Sequence, residues 1–167
     1  ATLIALLSVT GLRISEALKL TVADVTCDGL LIRETKFRKT RLVPLHDTAV
    51  AGLKRYLARR RPGSEADPVL VDVRGLPLRY IAVKETFDRL VGRAGIAPAT
   101  KRRPRLHDLR HTYAAVAARG GLSLPMIGAL LGHTEAQTTQ RYAHLVGNPV
   151  QAAAEQVGEA IRMALGG

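Results

Sequence analysis

Residues 106–119 read Leu-His-Asp-Leu-Arg-His-Thr-Tyr-Ala-Ala-Val-Ala-Ala-Arg, and this stretch sets the fold class of the chain. Its alanine content favours a helix, and the pair Gly120-Gly121 predicts where that helix ends. His107 and Arg110 are three residues apart, so a helix places both side chains on one face. These polar groups stand in an otherwise small and apolar setting, which makes them candidates for a functional site.

Helices are predicted on both sides of this stretch. Thr2 to Thr10 reads as a helix that Gly11 ends, and Gly132 breaks a later helix that Ser123 caps. The remaining helical segments are a short one capped by Ser15, residues 48–60 capped by Asp47, residues 81–94, a helix that starts at Thr134 and carries Tyr142, and an amphipathic helix over residues 150–165.

A small sheet is predicted near the start of the chain. The turn pair Asp28-Gly29 precedes the apolar run Leu30–Ile32, and residues 41–45 form a second run after a basic loop over residues 34–40. A third strand-like run covers residues 69–73. The fold class that follows is mainly α with a small antiparallel β-sheet (α+β).

The composition indicates an anionic partner. The 167 residues suit one domain, and they carry a formal net charge of +11. Such a charge points to nucleic acid first and to an anionic membrane surface second. Cys27 is the only cysteine, which excludes an intrachain disulfide and fits a reducing, cytoplasmic compartment. The apolar stretch Thr2 to Val9 is too short to span a bilayer, so we expect no membrane association.

Four more polar residues stand out at breaks between the predicted elements. Arg13 follows Thr10-Gly11-Leu12, His133 follows Leu131-Gly132, Tyr142 lies nine residues further on, and Lys36 lies in the basic loop. With His107 and Arg110 they supply two guanidiniums, two imidazoles, an ammonium and a phenol. No metal-ligand spacing and no phosphate-binding glycine loop accompany them, so we expect neither a metal nor a cofactor.

This set of groups suits chemistry on a phosphodiester. Arginine holds phosphate oxygens in a fixed fork of donors and keeps its charge. Cations aimed at the non-bridging oxygens stabilise the charge that gathers in a pentavalent transition state. A phenol is a usable nucleophile where a base or nearby cations help to remove its proton, and an ammonium can protonate a leaving alkoxide. A phosphotyrosine ester would keep the energy of the broken bond, so rejoining would need no ATP.

The motifs that carry these residues resemble the tyrosine recombinase family. They are Thr-Gly-Leu-Arg-Ile-Ser-Glu-Ala-Leu ending at Leu18, the basic loop from Lys36 to Pro44, His-Asp-Leu-Arg-His-Thr-Tyr-Ala-Ala at 107–115, and Leu-Gly-His-Thr at 131–134 with Thr-Thr-Gln-Arg-Tyr-Ala-His at 138–144. A single motif would be weak, but four in order, over nearly the whole chain, are specific. The resemblance implies the catalytic-domain fold of that family.

The resemblance also implies a role for each residue. Arg13 and Arg110 would clamp the scissile phosphate, and His133 would bond one of its oxygens. His107 would take part in proton transfer, and Lys36 would protonate the 5′ leaving oxygen. Tyr142 would attack phosphorus to give a 3′-phosphotyrosyl link and a free 5′-hydroxyl. Glu16 and Asp108 would orient other groups.

Further expectations concern DNA and partner protomers. Basic residues of two loops are predicted to contact DNA, namely Arg38, Lys39, Arg41, Lys101, Arg102, Arg103 and Arg105. The family implies double-stranded DNA as substrate and a tetramer on two duplexes. We interpret residues 1–167 as one catalytic domain without the family's N-terminal DNA-binding domain. Residues 149–167 would then be a tail that docks on a neighbouring protomer.

Two other functions fit parts of the sequence. A DNA-binding module of the same fold, without catalysis, would serve an architectural or regulatory role, although it predicts a missing catalytic residue. A topoisomerase-like enzyme that relaxes one strand at a time would need the same phenol and cations. Cleavage without exchange between two duplexes would favour this last reading.

Overall fold

A computed structural model of the chain describes residues 1–33, 40–60, 64–96, 102–133, 137–145 and Val157. These belong to two compact units, Ala1–Tyr113 and Ala114–Gly167. Along the described residues, none of the helices combines the length and the apolar character that a bilayer span requires.

The described residues are mostly helical. The helices are α1 (Thr2–Thr10), α2 (Ile14–Lys19), α3 (Asp47–Ala58), α4 (Tyr80–Arg93), α5 (Leu106–Arg119), α6 (Leu124–Leu131) and α7 (Gln137–Gln140), and the strands are β1 (Leu30–Ile32) and β2 (Arg41–Val43). Short 3₁₀ turns cover Val22–Asp24 and Ala143–Leu145. The predicted fold class, mainly α with a small antiparallel sheet, is confirmed.

The first unit is built around one apolar core. In α1 the buried residues Leu3, Leu6 and Leu7 follow the spacing of one helix face. This helix packs against α2 and α3, and α2 in turn packs against α4. Other core members come from the strands and later helices, among them Leu30, Ile32, Val43, Leu53, Val83 and Phe87.

The two strands pair with a defined register. Leu30 faces Val43, Leu31 faces Leu42, and Ile32 faces Arg41. Gly29 precedes β1 with a φ of 139°, and a Cβ atom there would lie 2.3 Å from the Val43 carbonyl oxygen. Only glycine fits such a close approach of two backbones. The register places Arg41 at the end of the sheet that the basic loop enters.

Three local predictions were wrong. Ser15 lies inside α2, whose N-cap is Arg13, because the Glu16 carboxylate accepts the Arg13 backbone N–H in place of a serine cap. Asp47 is the first residue of α3, and the N-cap is His46, whose ring accepts from the Thr48 N–H at 3.3 Å.

The third wrong prediction is the strand over residues 69–73. Among the described residues, this segment forms one single bridge, Val71 to Pro77, and the preceding Pro68 forms another with Thr21. Proline has no N–H to give, so neither bridge extends into a ladder.

The second unit is shorter. Ser123 is the N-cap of α6, as predicted, and Gly132 ends this helix with a φ of 65°. The helix predicted from Thr134 through Tyr142 is wrong in its extent, because α7 ends at Gln140. The Tyr142 N–H bonds the Thr139 carbonyl and the Leu145 N–H bonds the Tyr142 carbonyl, which are turns tighter than an α-helix. Apart from Val157, the helix predicted over residues 150–165 lies outside the described residues.

Candidate active site

A glycine corner presents Arg13. Gly11 ends α1 in the left-handed conformation, with a φ of 63°, and its N–H bonds the Leu7 carbonyl at 3.0 Å. Thr10 strengthens the corner, since its hydroxyl donates to the Leu6 carbonyl at 2.6 Å and accepts from the Leu12 N–H at 3.3 Å. The chain therefore leaves α1 along a fixed path and reaches Arg13 at the N-cap of α2.

Arg110 is attached to the same corner. Arg110 is only 4% exposed, and its Nη1 donates to the Gly11 carbonyl oxygen at 2.7 Å. A buried guanidinium is costly unless its donors are used, so this bond helps to hold the charge in place. The structure thus connects Arg110 of α5 to Gly11, which lies two residues before Arg13.

The carboxylate of Glu16 binds Arg13 directly. Glu16 accepts from the Arg13 backbone N–H and from Arg13 Nη1, both at 2.9 Å. It also accepts two bonds from Arg41, each at 3.0 Å. Burial by itself would raise the pKa of Glu16, but the hydrogen bonds and charge of Arg41 and Arg13 outweigh it and hold that pKa below 4.5. Arg41 is therefore engaged inside the protein, in the contact to Glu16.

His107 lies on α5 one turn before Arg110. Its ring packs edge to face on His111, with 4.8 Å between the ring centroids. Partial burial lowers the pKa of His107 below 6.5, and the neighbouring His111, Arg110 and Arg105 lower it further. The neutral imidazole is therefore favoured near neutral pH, in the form that can accept a proton.

A basic rim lies before α5. The Asp108 carboxylate accepts the Arg105 backbone N–H at 2.7 Å and so caps the first turn of α5. It also pairs with the guanidiniums of Arg102 at 3.4 Å and Arg105 at 3.6 Å. Both arginine side chains remain more than half exposed, and Arg103 beside them is exposed as well. A cavity of about 330 Å³ opens at this rim and includes His107 in its wall.

A second glycine corner presents His133. Gly132 adopts the left-handed conformation, and the His133 N–H bonds the Gly128 carbonyl at 2.9 Å. The Nδ1 atom of His133 lies 2.8 Å from the hydroxyl of Thr139, a residue that is 2% exposed. Thr139 was not predicted to belong to the site. Its place in the motif with Tyr142 was the only signal, and a threonine hydroxyl carries little information by itself.

Tyr142 lies in the same unit as His133. It is 6% exposed and follows α7 in a turn, in which its N–H bonds the Thr139 carbonyl at 3.0 Å. Thr139 therefore contacts His133 through its side chain and Tyr142 through its backbone. One buried residue positions both predicted catalytic groups of the second unit.

Several predicted residues lie outside the described residues, namely Lys36, Arg38, Lys39 and Lys101. Among the residues that the structure does describe, no three His, Cys, Asp or Glu side chains come together as metal ligands would.

Comparison with known proteins identifies the family. Residues 1–148 match the phage integrase family, and the chain belongs to it. The chain is 36% identical over 136 residues to tyrosine recombinase XerC of Pelobacter propionicus. The aligned region covers 81% of this chain and 44% of that relative. The chain spans about half the length of the curated relatives it matches.

Solved structures confirm the fold. XerH site-specific recombinase, bound to a palindromic difH substrate in a post-cleavage complex, superimposes with a TM-score of 0.73 at 26% identity, covering 92% of this chain and 44% of that chain. The catalytic domain of bacteriophage HP1 integrase gives a TM-score of 0.68 at 27% identity, covering 92% of this chain and 79% of that one. The fold is thus that of a tyrosine recombinase catalytic domain.

Proposed function

We propose that this chain is the catalytic domain of a site-specific DNA recombinase that cuts and rejoins DNA through Tyr142. The observation that carries the proposal is the bond from the buried Arg110 guanidinium to the Gly11 carbonyl. It attaches one predicted phosphate-binding arginine to the corner that presents the other, Arg13. Family membership and the DNA-bound state of the related XerH structure support the same function.

In the proposed reaction the phenolic oxygen of Tyr142 attacks the phosphorus of the scissile phosphodiester. A bond from phosphorus to the tyrosine oxygen forms while the bond from phosphorus to the 5′ oxygen breaks. The phenolic proton passes to His107, which its lowered pKa keeps ready to accept it. Lys36 gives a proton to the leaving 5′ oxygen. A 5′-hydroxyl of the partner strand then reverses these steps and releases Tyr142.

Fixed donors stabilise the transition state in this proposal. Arg13 and Arg110 neutralise the non-bridging oxygens, and each preorganised donor of this kind is worth roughly 3 kcal/mol of barrier. If the Thr139 hydroxyl donates to Nδ1 of His133, the ring proton stands on Nε2. That proton would then be available to a phosphate oxygen, as the predicted role of His133 requires.

Binding would draw on the basic surface of the chain. The exposed guanidiniums of Arg102, Arg103 and Arg105 surround the start of α5, and the whole chain carries a net charge of +11. We propose that these side chains contact backbone phosphates of double-stranded DNA. A tetramer on two duplexes, a preceding DNA-binding domain and a docking tail over residues 149–167 remain predictions from the family.

A trapping experiment tests the proposal. The chain is incubated with a pool of end-labelled duplexes of randomised sequence, each with a nick placed so that cleavage releases a short fragment and prevents rejoining. We expect a covalent protein–DNA adduct that survives denaturation, with the label on the 3′-phosphate side. Tyr142→Phe should give no adduct. Tyr113→Phe, which changes a half-buried tyrosine of α5, is the matched control and should give the wild-type yield.

The other readings predict different results. A chain that binds the pool but forms no adduct would be a DNA-binding module, and the enzyme proposal would be wrong. An adduct that also forms with Tyr142→Phe would place the nucleophile elsewhere. Relaxation of supercoiled DNA without exchange between duplexes would favour the topoisomerase-like reaction.

A further inference from the structure

Arg41 was predicted to contact DNA, but its side chain is bound within the protein. It is the first residue of β2 and follows directly on the loop that carries Lys36. Its side chain is only 15% exposed, and its two terminal nitrogens meet the two oxygens of Glu16, each at 3.0 Å. This fork-to-fork geometry is the strongest form of a guanidinium–carboxylate contact. Both terminal nitrogens of Arg41 are therefore bound to Glu16.

Glu16 binds Arg13 as well as Arg41. Its side chain is 8% exposed, and the same two oxygens accept the Arg13 backbone N–H and the Arg13 Nη1. With all of these bonds in place, the carboxylate is saturated and has little freedom to rotate. Arg13 has a side-chain exposure of 35%, so part of its guanidinium is accessible to a ligand.

The charges of the three side chains give Arg41 a second effect. Arg13 and Glu16 alone would form a neutral pair, and the carboxylate would offset much of the attraction between Arg13 and a phosphate. With Arg41 the group of two cations and one anion is net positive. Arg41 thus holds the carboxylate and compensates its charge at the same time.

We propose that Arg41 is a positioning residue for Arg13, acting through Glu16, rather than a contact to the DNA backbone. This inference rests on the proposed function only in assigning Arg13 to the scissile phosphate. The inference also gives the start of β2 a functional role. Arg41 joins this strand, which follows the loop with Lys36, to Glu16, and Glu16 in turn holds Arg13.

The test compares Arg41→Lys, which keeps the charge and loses the fork, with Arg55→Lys, an exposed arginine on α3 as control. The first measurement is the cleavage rate at saturating nicked DNA from the pool above. A positioning residue predicts a fall of about 10- to 100-fold for Arg41→Lys, as is typical of groups that orient a directly acting residue. DNA affinity and its salt dependence should stay at the wild-type values, and Arg55→Lys should change neither quantity.

A second measurement does not depend on catalysis. The order of the Arg13 side-chain Nε–H, read by ¹⁵N relaxation, should be high in the wild type and reduced in Arg41→Lys. If this order falls while the wild type forms no adduct, the proposed function is wrong and the positioning role stands. If Arg41→Lys fails to fold, the double variant Glu16→Gln with Arg41→Gln removes the charged pair together, and it should show the same loss of Arg13 order.

A backbone contact predicts the opposite pattern. Arg41→Lys and Arg41→Gln would then weaken DNA binding, Arg41→Gln would lower the salt slope by about one unit, and the cleavage rate at saturation and the order of Arg13 would be unchanged. That result would overturn the inference.

Discussion

Two corners of the molecule present functional residues in the same way and hold them differently. At the first, α1 ends at Gly11 with a φ of 63° and Arg13 follows two residues later; at the second, α6 ends at Gly132 with a φ of 65° and His133 follows at once. Both glycines adopt a backbone conformation that other residues enter only with strain. A left-handed glycine stops a helix abruptly and turns the next side chain in a fixed direction.

The difference lies in what holds the presented side chain. At the first corner the partners are charged, namely the Glu16 carboxylate on Arg13 and the Arg110 guanidinium on the Gly11 carbonyl. At the second corner the uncharged hydroxyl of Thr139 lies within hydrogen-bond distance of the His133 ring. The Glu16 contact requires an ionised carboxylate, whereas the bond between the His133 imidazole and the Thr139 hydroxyl involves no carboxylate and favours one ring tautomer. Substitutions and changes of pH should therefore affect the two corners differently.

The largest expected effect comes from Arg110. Arg110→Ala removes a proposed phosphate donor and also releases the Gly11 carbonyl, so cleavage of the trapping substrate should fall by roughly 10²- to 10³-fold. Arg119→Ala changes an exposed arginine at the end of the same helix and serves as the control. The measurement is the single-turnover rate of adduct formation. An Arg110→Ala rate within a few-fold of the control would contradict the role given to the first corner.

The two corners also show how far the sequence could predict the site. Arg13, Arg110 and His133 could be proposed as site residues from the sequence because motif spacing and helix-ending glycines are local signals. The partner of Arg41 lies 25 residues away in the chain, and the choice between an inward contact and DNA depends on packing that no local pattern encodes. The predicted cap of α2 was wrong for a different, local reason, because the Glu16 carboxylate three residues after Arg13 accepts the Arg13 N–H.

Tyr142 illustrates a second kind of limit. Its motif was recognisable, but its backbone follows α7 in tight turns where a continuous helix was predicted. Helix propensity over so few residues is weak, and the contacts around the buried Thr139 decide the local geometry. Motifs therefore predicted which residues belong to the site, and the contacts that hold each of them became visible only in the structure.

Acid should weaken the contacts that Glu16 makes at the first corner. The folded-state pKa of Glu16 lies below its ordinary value of 4.5, so its contribution is complete above that pH and is lost as the pH falls through the lowered pKa. As the pH falls through this lowered pKa, hydrogen-exchange protection of the Arg13 amide, which donates to Glu16, should fall by about 10-fold. The His133 amide, which donates to the Gly128 carbonyl, should keep its protection.

Glu16→Gln provides the control for this acid effect. The amide oxygen of glutamine accepts from the Arg13 N–H and does not titrate, so protection of that amide should be independent of pH in the variant. Equal loss of protection at both corners of the wild type would show that acid unfolds the chain as a whole. A difference between the corners could then not be attributed to the titration of Glu16.

The smallest expected effect concerns Thr139, and it separates orientation from charge. Thr139→Val keeps the shape of a side chain that is 2% exposed and deletes the hydroxyl that lies 2.8 Å from Nδ1 of His133. The loss of one neutral hydrogen bond costs about 1 kcal/mol, which corresponds to a fall in cleavage rate of about 5-fold. Thr139→Ser keeps the hydroxyl and should retain the wild-type rate.

The tautomer of His133, read from its ¹⁵N chemical shifts, should shift in the valine variant alone. A slower valine variant with an unchanged tautomer would mean that Thr139 acts through the backbone turn at Tyr142, because its carbonyl accepts the Tyr142 N–H.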